Sequence, residues 1–301
     1  MIKINYFIIT IIIKTFLNLN FINLYLDDVF CSCVSISIID PLTGKNILYK
    51  LSKEYIQQFW VGLLEGDGTI TVDKPRQSDN LRVRIIISLL NKEGNLQMLN
   101  LIQEAIGGRV VIERKDKYVT WIINKKKDLI KALAVLNKYP LITSRKQLQL
   151  AFATTCILNP NPNNFIKNRK NKYNDETIVR QIKDFKSIPY FKSWLSGFIE
   201  AEGNFNLLLN KTGSIRTSSF NIGQNKDIFI LEMIKTYFDS HHIIYKDKKE
   251  NKDIKHYRIS ISGSKCRSKI QEHFIDNPLL GNKNISYHKW IYYFIQNNKN
   301  T

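Results

Sequence analysis

Two stretches of this sequence resemble each other: FWVGLLEGDG at residues 59–68 and WLSGFIEAEG at residues 194–203. Gly68 aligns with Gly203, which lies 135 residues further along the chain. A repeat period this long indicates a duplicated domain rather than a solenoid of short repeats. We therefore expect a chain that is built from two related halves.

The segments that follow the two stretches repeat the same order of patterns. Each stretch is followed by two alternating segments, an apolar-periodic helix, two more alternating segments and further helices. In the first half the helix covers Leu96–Ile106, and a hairpin follows at residues 109–115 and 118–124. In the second half the helix covers Ile228–Phe238, and the strand around Arg258 follows it. Each half reads αββαββα, which predicts an α+β fold of two pseudo-symmetric domains.

A polar, turn-forming segment separates the two halves. Residues 159–164 read NPNPNN, and a stretch rich in lysine and asparagine follows them. Such a composition is typical of a linker, because it offers few apolar side chains for a core. We expect a linker over residues 159–186, between a first domain at 49–158 and a second domain at 187–301.

The N-terminal segment is apolar but differs from a membrane span. Lysine and asparagine residues interrupt it, and it has no uninterrupted apolar run of about 18 residues. We place residues 1–48 outside the fold, as a leader that is removed or disordered. A signal-like or membrane-associating segment is the alternative, but we expect no stable membrane partner.

The charge of the chain points to a polyanionic partner. The 301 residues carry a formal net charge of +19, with a pI of about 9.6, and residues 1–50 contribute only +1 of it. The remaining excess lies in the expected domains, which favours binding to nucleic acid over an anionic membrane. The four cysteines form no CxxC pair and no zinc-type spacing, so we expect free thiols in a reducing compartment.

The glycines of the repeated stretches predict how the halves meet. Gly62 and Gly66 are four residues apart, as are Gly197 and Ala201. On a helix, this spacing of small residues makes one flat face, which lets two backbones approach closely. We expect these two motif helices to pack side by side at the domain interface, with their C-terminal ends together.

An acid precedes the last glycine of each stretch. Asp67 precedes Gly68 and Glu202 precedes Gly203, and we expect both glycines to adopt the left-handed conformation that ends many helices. A helix C-terminus is negative and has unpaired carbonyls, so two acids there favour a hard cation such as Mg²⁺. Such an ion could activate a water and stabilise the leaving 3′-oxygen of a phosphodiester.

A second pair of acids, Glu65 and Glu200, lies two positions before the first pair. On a helix, residues two positions apart point in different directions. We therefore expect these two carboxylates to be structural and to accept hydrogen bonds near the helix ends.

The two stretches resemble the signature of the LAGLIDADG homing endonucleases, and the resemblance covers about residues 50–297. The runs YFKSW at residues 190–194 and LGNK at residues 280–283 are most similar to single-chain enzymes of the cytochrome-b and cytochrome-oxidase introns of organelles. The resemblance implies a site-specific, Mg²⁺-dependent endonuclease, with Mn²⁺ as a substitute, that acts as a monomer on double-stranded DNA. Some members of this group are maturases that help their own intron splice.

A mitochondrial location follows from the resemblance and from the abundance of residues with AT-rich codons, such as Ile, Asn and Lys. An RNA-binding maturase that acts on its own intron RNA is the alternative function, alone or as a second activity. The endonuclease is favoured because both motif acids are intact.

The resemblance also implies roles for individual residues. Asp67 and Glu202 would bind the metal, together with the carbonyls of Gly66 and Ala201. Lys283 matches the basic residue that is expected near the active site of the second half.

In the first half the basic residue is Arg145 or Lys146. Trp290 lies seven residues after Lys283, and counting back seven from Phe152 favours Arg145, although lysine is usual there. The polar residue at the end of the second strand is Gln224 in the second half, and its first-half counterpart is Leu90. This difference would make the two catalytic sites unequal.

The polar strand faces would form the DNA-binding surface. Two four-stranded antiparallel sheets would lie along the major groove as a saddle, with arginine and asparagine reading bases and other basic residues holding phosphates. The candidate contacts are Arg82, Arg84, Arg109, Lys115, Asn204, Asn206 and Arg258. An ordinary solvated strand face is the alternative interpretation of this pattern.

Overall fold

The computed structural model describes residues 33–39, 46–76, 80–211, 215–247 and 255–299, with side chains from residue 51 to residue 295. It begins with a hairpin in which strand β1 (Cys33–Ile39) pairs antiparallel with β2 (Asn46–Ser52).

This hairpin includes residues that the sequence predicts to lie outside the fold. Residues 33–39 and 46–48 belong to the expected leader, and the structure describes them as strand. In β1, small polar and aliphatic residues alternate, a pattern that favours a strand. Residues 1–32 of the predicted leader lie outside the described residues. Among the helices that the structure describes, none is both long and apolar enough to cross a bilayer.

The two halves contain the same elements in the same order. The first half comprises α1 (Lys53–Asp67), β3 (Gly68–Asp73), β4 (Arg82–Leu90), α2 (Glu93–Ile106), β5 (Arg109–Glu113), β6 (Tyr118–Ile123), α3 (Lys126–Lys138) and α4 (Ser144–Leu158). The connecting segment holds α5 (Pro162–Asn168) and two short 3-10 helices at Glu176–Ile178 and Phe185–Ser187. The second half comprises α6 (Phe191–Glu202), β7 (Gly203–Leu209), β8 (Ile215–Asn225), α7 (Ile228–Tyr237), β9 (Ile244–Lys246), β10 (His256–Ile261), α8 (Ser264–Asp276) and α9 (Lys283–Lys299).

Each half forms one antiparallel four-stranded sheet. The strand orders are β3-β4-β6-β5 and β7-β8-β10-β9, which are equivalent in the two halves. The registers are equivalent as well, since Gly68 pairs with Ile87 and Gly203 pairs with Ile222. The predicted α+β fold with two pseudo-symmetric domains is therefore confirmed, although each half ends with one helix more than the αββαββα pattern.

The two motif helices, α1 and α6, pack at the interface as predicted. A Cβ built on Gly62 would lie 1.9 Å from the carbonyl oxygen of Trp194, and one built on Gly197 would lie 1.9 Å from the carbonyl oxygen of Phe59. Because no real side chain tolerates such distances, glycine at both positions is what allows the two backbones to touch. Around the contact, Trp194 and Phe198 are fully buried and stack with their ring centroids 4.8 Å apart.

The expected left-handed conformation of Gly68 and Gly203 was wrong. Gly68 has φ −83° and ψ 174°, and Gly203 has φ −73° and ψ 155°, so both are extended. Each helix passes directly into a strand without a turn. Glycine is required for space, because an added Cβ would lie 2.5 Å from Leu64 in the first half and 2.7 Å from Ile199 in the second.

Gly62→Ala should destabilise the protein although alanine is the better helix former by about 1 kcal/mol. The new methyl group would overlap the carbonyl of Trp194, and overpacking of this kind typically costs about 1–3 kcal/mol. We expect a lower urea midpoint for Gly62→Ala, and a comparable loss for Gly197→Ala. A midpoint that stays constant or rises in both variants would contradict direct backbone packing of α1 on α6.

Candidate active site

The two motif acids lie together at the C-terminal ends of the paired helices. Asp67 is the last residue of α1 and Glu202 is the last residue of α6, and both are exposed. The ends are in contact, since a Cβ built on Gly66 would lie 2.3 Å from Cβ of Ala201 and 3.4 Å from Oε1 of Glu202. The helix pairing thus brings one carboxylate from each half to the same point.

The surroundings of these carboxylates favour a cation. Although both side chains are exposed, the surrounding protein removes part of their water, and this partial desolvation raises the pKa of both Asp67 and Glu202. The charge of Asp67 raises the pKa of Glu202 further. The lysines Lys283 and Lys146 oppose this effect. Two carboxylates next to helix-terminal carbonyls are the hard oxygen donors that Mg²⁺ prefers, so the residues present fit such an ion.

The protein supplies only part of a coordination shell. Within the described part of the chain, no group of three or more His, Cys, Asp or Glu side chains is placed to hold a metal ion. Backbone carbonyls, water or a phosphate oxygen would therefore have to complete the octahedral set that Mg²⁺ requires. The carbonyls of Gly66 and Ala201 stand directly before the two acids and are suited to contribute.

A lysine from each half reaches the acids. Lys283 is the first residue of α9, and its Nζ donates a hydrogen bond of 2.9 Å to the carbonyl oxygen of Ala201. Lys146 lies in α4 with 4% of its surface exposed. Burial lowers the pKa of both ammonium groups, whereas the charge of Glu202 raises both. The carbonyl of Ala201 keeps a second lone pair, so its bond to Lys283 does not prevent a further ligand contact.

The structure brings Lys146, and not Arg145, to the acids. Arg145 is exposed, and its guanidinium carbon lies 5.9 Å from the ring centroid of Tyr173, in the connecting segment. The sequence favours Arg145 because Phe152, an aromatic residue, lies seven positions after it, as Trp290 does after Lys283. In the structure the buried residue is the next one, Ala153, which lies seven positions after Lys146. Phe152, on which the count relied, is only half-buried.

The strand register corrects the counterpart of Gln224. Because Gly68 pairs with Ile87 and Gly203 with Ile222, the position that corresponds to Gln224 is Leu89 and not Leu90. The inferred inequality of the two halves is unaffected, since leucine occupies both positions. Gln224 is half-buried and near Asp227, where its side chain opposes the rise in the pKa of that carboxyl that burial causes.

The second pair of acids holds the helices that carry the lysines, and this confirms their structural role. Glu65 accepts hydrogen bonds from the backbone N–H groups of Ile142, at 2.8 Å, and Thr143, immediately before α4. Glu65 also accepts from Nε1 of Trp194, at 2.9 Å, across the interface. Glu200 accepts from the N–H groups of Gly281, at 3.1 Å, and Lys283, at 3.0 Å, at the start of α9.

The sheet face of the first half carries the expected arginines, but they are paired. Arg82 and Arg84 contact Asp73 of the neighbouring strand at 2.6 and 3.1 Å. Arg109 is exposed at the start of β5, and Lys115 is exposed in the turn after it, where its φ is 53°.

The second half is similar. Arg258 contacts Asp247 at 3.0 Å. Asn204 is exposed and lines an open cleft together with Glu202, while Asn206 is half-buried. The sequence patterns did not identify the two aspartates that pair with these arginines. Asp73 does follow the alternation of β3, because it lies on the same strand face as the other polar residues of that strand.

Comparison with known proteins shows the family to which the chain belongs. The LAGLIDADG endonuclease profile matches residues 60–156 and again residues 195–294, so that each match begins in a motif helix and ends in the last helix of its half. The chain belongs to the LAGLIDADG endonuclease family.

Curated relatives of the chain are intron-encoded endonucleases by name. A probable intron-encoded endonuclease aI3 of Dictyostelium citrinum is 36% identical over 252 residues, which cover 81% of this chain and 98% of the relative. A protein of the same name from Debaryomyces hansenii is 34% identical over 271 residues, which cover 79% of this chain. The chain spans only 38% of the length of that second relative.

Solved structures share the fold. The meganuclease I-SmaMI, bound to an uncleaveable DNA, superposes with a TM-score of 0.60 at 19% identity, covering 81% of this chain and 90% of the other. This likeness extends over both halves, and it supports the pseudo-symmetric arrangement of the two sheets around the paired helices.

Proposed function

We propose that this chain is a site-specific endonuclease that cuts both strands of a long DNA duplex in an Mg²⁺-dependent reaction, as expected for intron homing. The observation that carries the proposal is the meeting of Asp67 and Glu202 at the ends of the paired helices, each with a lysine beside it. One carboxylate and one lysine from each half fit the two strands of a duplex. The names of the relatives support the same activity.

The residues would divide the work as follows. Asp67 and Glu202 would hold the divalent ions, together with the carbonyls of Gly66 and Ala201. A bound ion would supply a more acidic water and charge stabilisation for the leaving 3′-oxygen. Lys146 and Lys283, which are enclosed by protein, would direct a positive charge at the scissile phosphates or their waters.

The sheets would hold the DNA. The exposed and half-buried arginines and asparagines of the two strand faces lie on the side of the sheets opposite the buried core residues, as a groove-binding surface requires. Since both halves belong to one chain, we expect a functional monomer that places two sheets along one duplex.

The cellular location and the choice of metal ion follow from the relatives, the composition and the ligand chemistry. We assign the protein to mitochondria, because its relatives are named as intron-encoded proteins and its composition is typical of an AT-rich genome. Mn²⁺ is expected to replace Mg²⁺, as both accept oxygen ligands in octahedral geometry. The maturase alternative is not favoured, since both motif acids are present and no observation points to intron RNA.

Asp67→Asn and Glu202→Gln keep the shape of the side chains and remove their charge. Each should lower cleavage of a supercoiled plasmid that carries the target by at least about a hundredfold, because the ion that activates water is lost. DNA binding should stay constant or become tighter, since a carboxylate no longer faces phosphate. The matched control is Glu232→Gln, an exposed acid of α7. Wild-type cleavage by both variants at saturating binding would refute the proposed site.

Asp73→Asn tests the DNA-binding face. The substitution releases Arg82 and Arg84 from their ion pairs, and we expect roughly three- to tenfold tighter duplex binding at low salt, with a steeper salt dependence. The control is Asp239→Asn, which makes the same charge change next to Lys265 and Lys269, outside the sheet faces. Equal tightening by both variants would mean that net charge alone matters, and weaker binding by Asp73→Asn would contradict the assigned role of the two arginines.

A further inference from the structure

Each lysine-bearing helix starts from a loop, and we call these the lysine loops: residues 139–143 before α4 and residues 277–282 before α9. Glu65 and Glu200 hold each loop from within its own half. If these were the only contacts, each half would position its lysine without the other half. Further contacts to the lysine loops, however, come from the opposite half.

The most direct of these contacts are to the helix starts. The backbone N–H of Ser144, the first residue of α4, donates a 2.9 Å hydrogen bond to Oδ2 of Asp227 in the second half. In the reciprocal contact, the N–H of Asn282, directly before α9, donates a 3.0 Å hydrogen bond to Oδ1 of Asn95 in the first half. Asp227 directly precedes α7, and Asn95 lies in the first turn of α2, so equivalent helices supply the two acceptors.

A second reciprocal pair of contacts holds the loops further upstream. The hydroxyl of Tyr55, in the first half, donates a 2.6 Å hydrogen bond to the carbonyl oxygen of Pro278. The hydroxyl of Tyr190, 135 residues later, donates to the carbonyl oxygen of Pro140. Reciprocal hydrogen bonding between the two halves is therefore a repeated feature of the fold and not an isolated contact.

The first N–H groups of a helix have no partner within the helix, and a side-chain acceptor fixes the direction in which the helix starts. Lys146 is the third residue of α4 and Lys283 is the first residue of α9, so both lie in the turn that these acceptors fix. The start of α2 also packs closely against the segment before α9, because a Cβ added to Gly94, beside Asn95, would lie 3.0 Å from the backbone nitrogen of Asn282. A shift of either helix start would move the ammonium group away from the acids.

We propose that Asp227 helps to position Lys146 and that Asn95 helps to position Lys283, so that the placement of each lysine depends on the half of the chain that does not contain it as well as on its own half. The inference rests on the proposed nuclease function and deepens it.

The test uses a target duplex whose two strands carry different labels, and Lys146→Ala shows how cleavage responds to loss of that lysine. Asp227→Ala should reproduce the strand pattern of Lys146→Ala, with the affected strand slowed about ten- to hundredfold, because small misplacements of catalytic groups have effects of this size. Asp227→Asn, which keeps an acceptor oxygen, should restore most of the rate. Asn95→Ala should reproduce the pattern of Lys283→Ala, with rescue by Asn95→Asp.

The inference would be overturned if Asp227→Ala slowed the same strand as Lys283→Ala. It would also be overturned if Asp227→Ala slowed both strands equally while Lys146→Ala slowed only one. Hydrogen exchange gives a readout that does not need cleavage: the amide of Ser144 should exchange faster in Asp227→Ala, while the amide of Lys283 should not change. Unchanged exchange at Ser144 would overturn the inference alone. Absence of cleavage by the wild-type protein on any duplex would refute the nuclease function, and the exchange result would still decide the positioning role.

Discussion

The close approach of the two motif helices is the constraint on which the rest of the structure depends. At Gly62 and Gly197 the backbone of each helix occupies the space that a side chain would need. This contact joins two domains whose sheets have equivalent topology, and it brings Asp67 and Glu202 together at the helix ends. A wider helix separation would leave two acidic helix ends apart, each without its neighbour and without the lysine of the other half nearby.

The interface also organises the positive charges. A lysine enclosed by protein is costly unless acceptors or negative charges surround it. Lys283 has the carbonyl of Ala201 as an acceptor, and the charges of nearby carboxylates partly offset the lowering of the pKa that burial causes in both Lys146 and Lys283. Glu65 and Glu200 determine where the lysine helices begin, using backbone N–H groups as donors. The two acids of each motif therefore have different surroundings: the second is exposed at the helix end, where we propose the metal site, and the first is buried and accepts hydrogen bonds from the segment before the lysine.

Much of this arrangement could be predicted from the sequence, because the repeat, the glycine spacing and the paired acids are local patterns. The choice between Arg145 and Lys146 could not, since it depends on which side of α4 faces the interface, and an aromatic landmark suggested the wrong register. Leu89 was missed as the counterpart of Gln224 because strand register is set by pairing. The contact of Asp227 with the start of α4 in the opposite half has no local signature at all, because it joins residues that meet only in the folded chain.

The central claim is that the paired helix ends form the metal-binding catalytic centre. The most direct measurement is a crystal structure of the protein with a bound target duplex and Mn²⁺, using anomalous scattering to locate the ions. We expect anomalous peaks at coordination distance from the carboxylate oxygens of Asp67 and Glu202, between the helix ends and the scissile phosphates. Peaks that lie elsewhere on the protein, or a duplex that lies away from these helix ends, would contradict the claim.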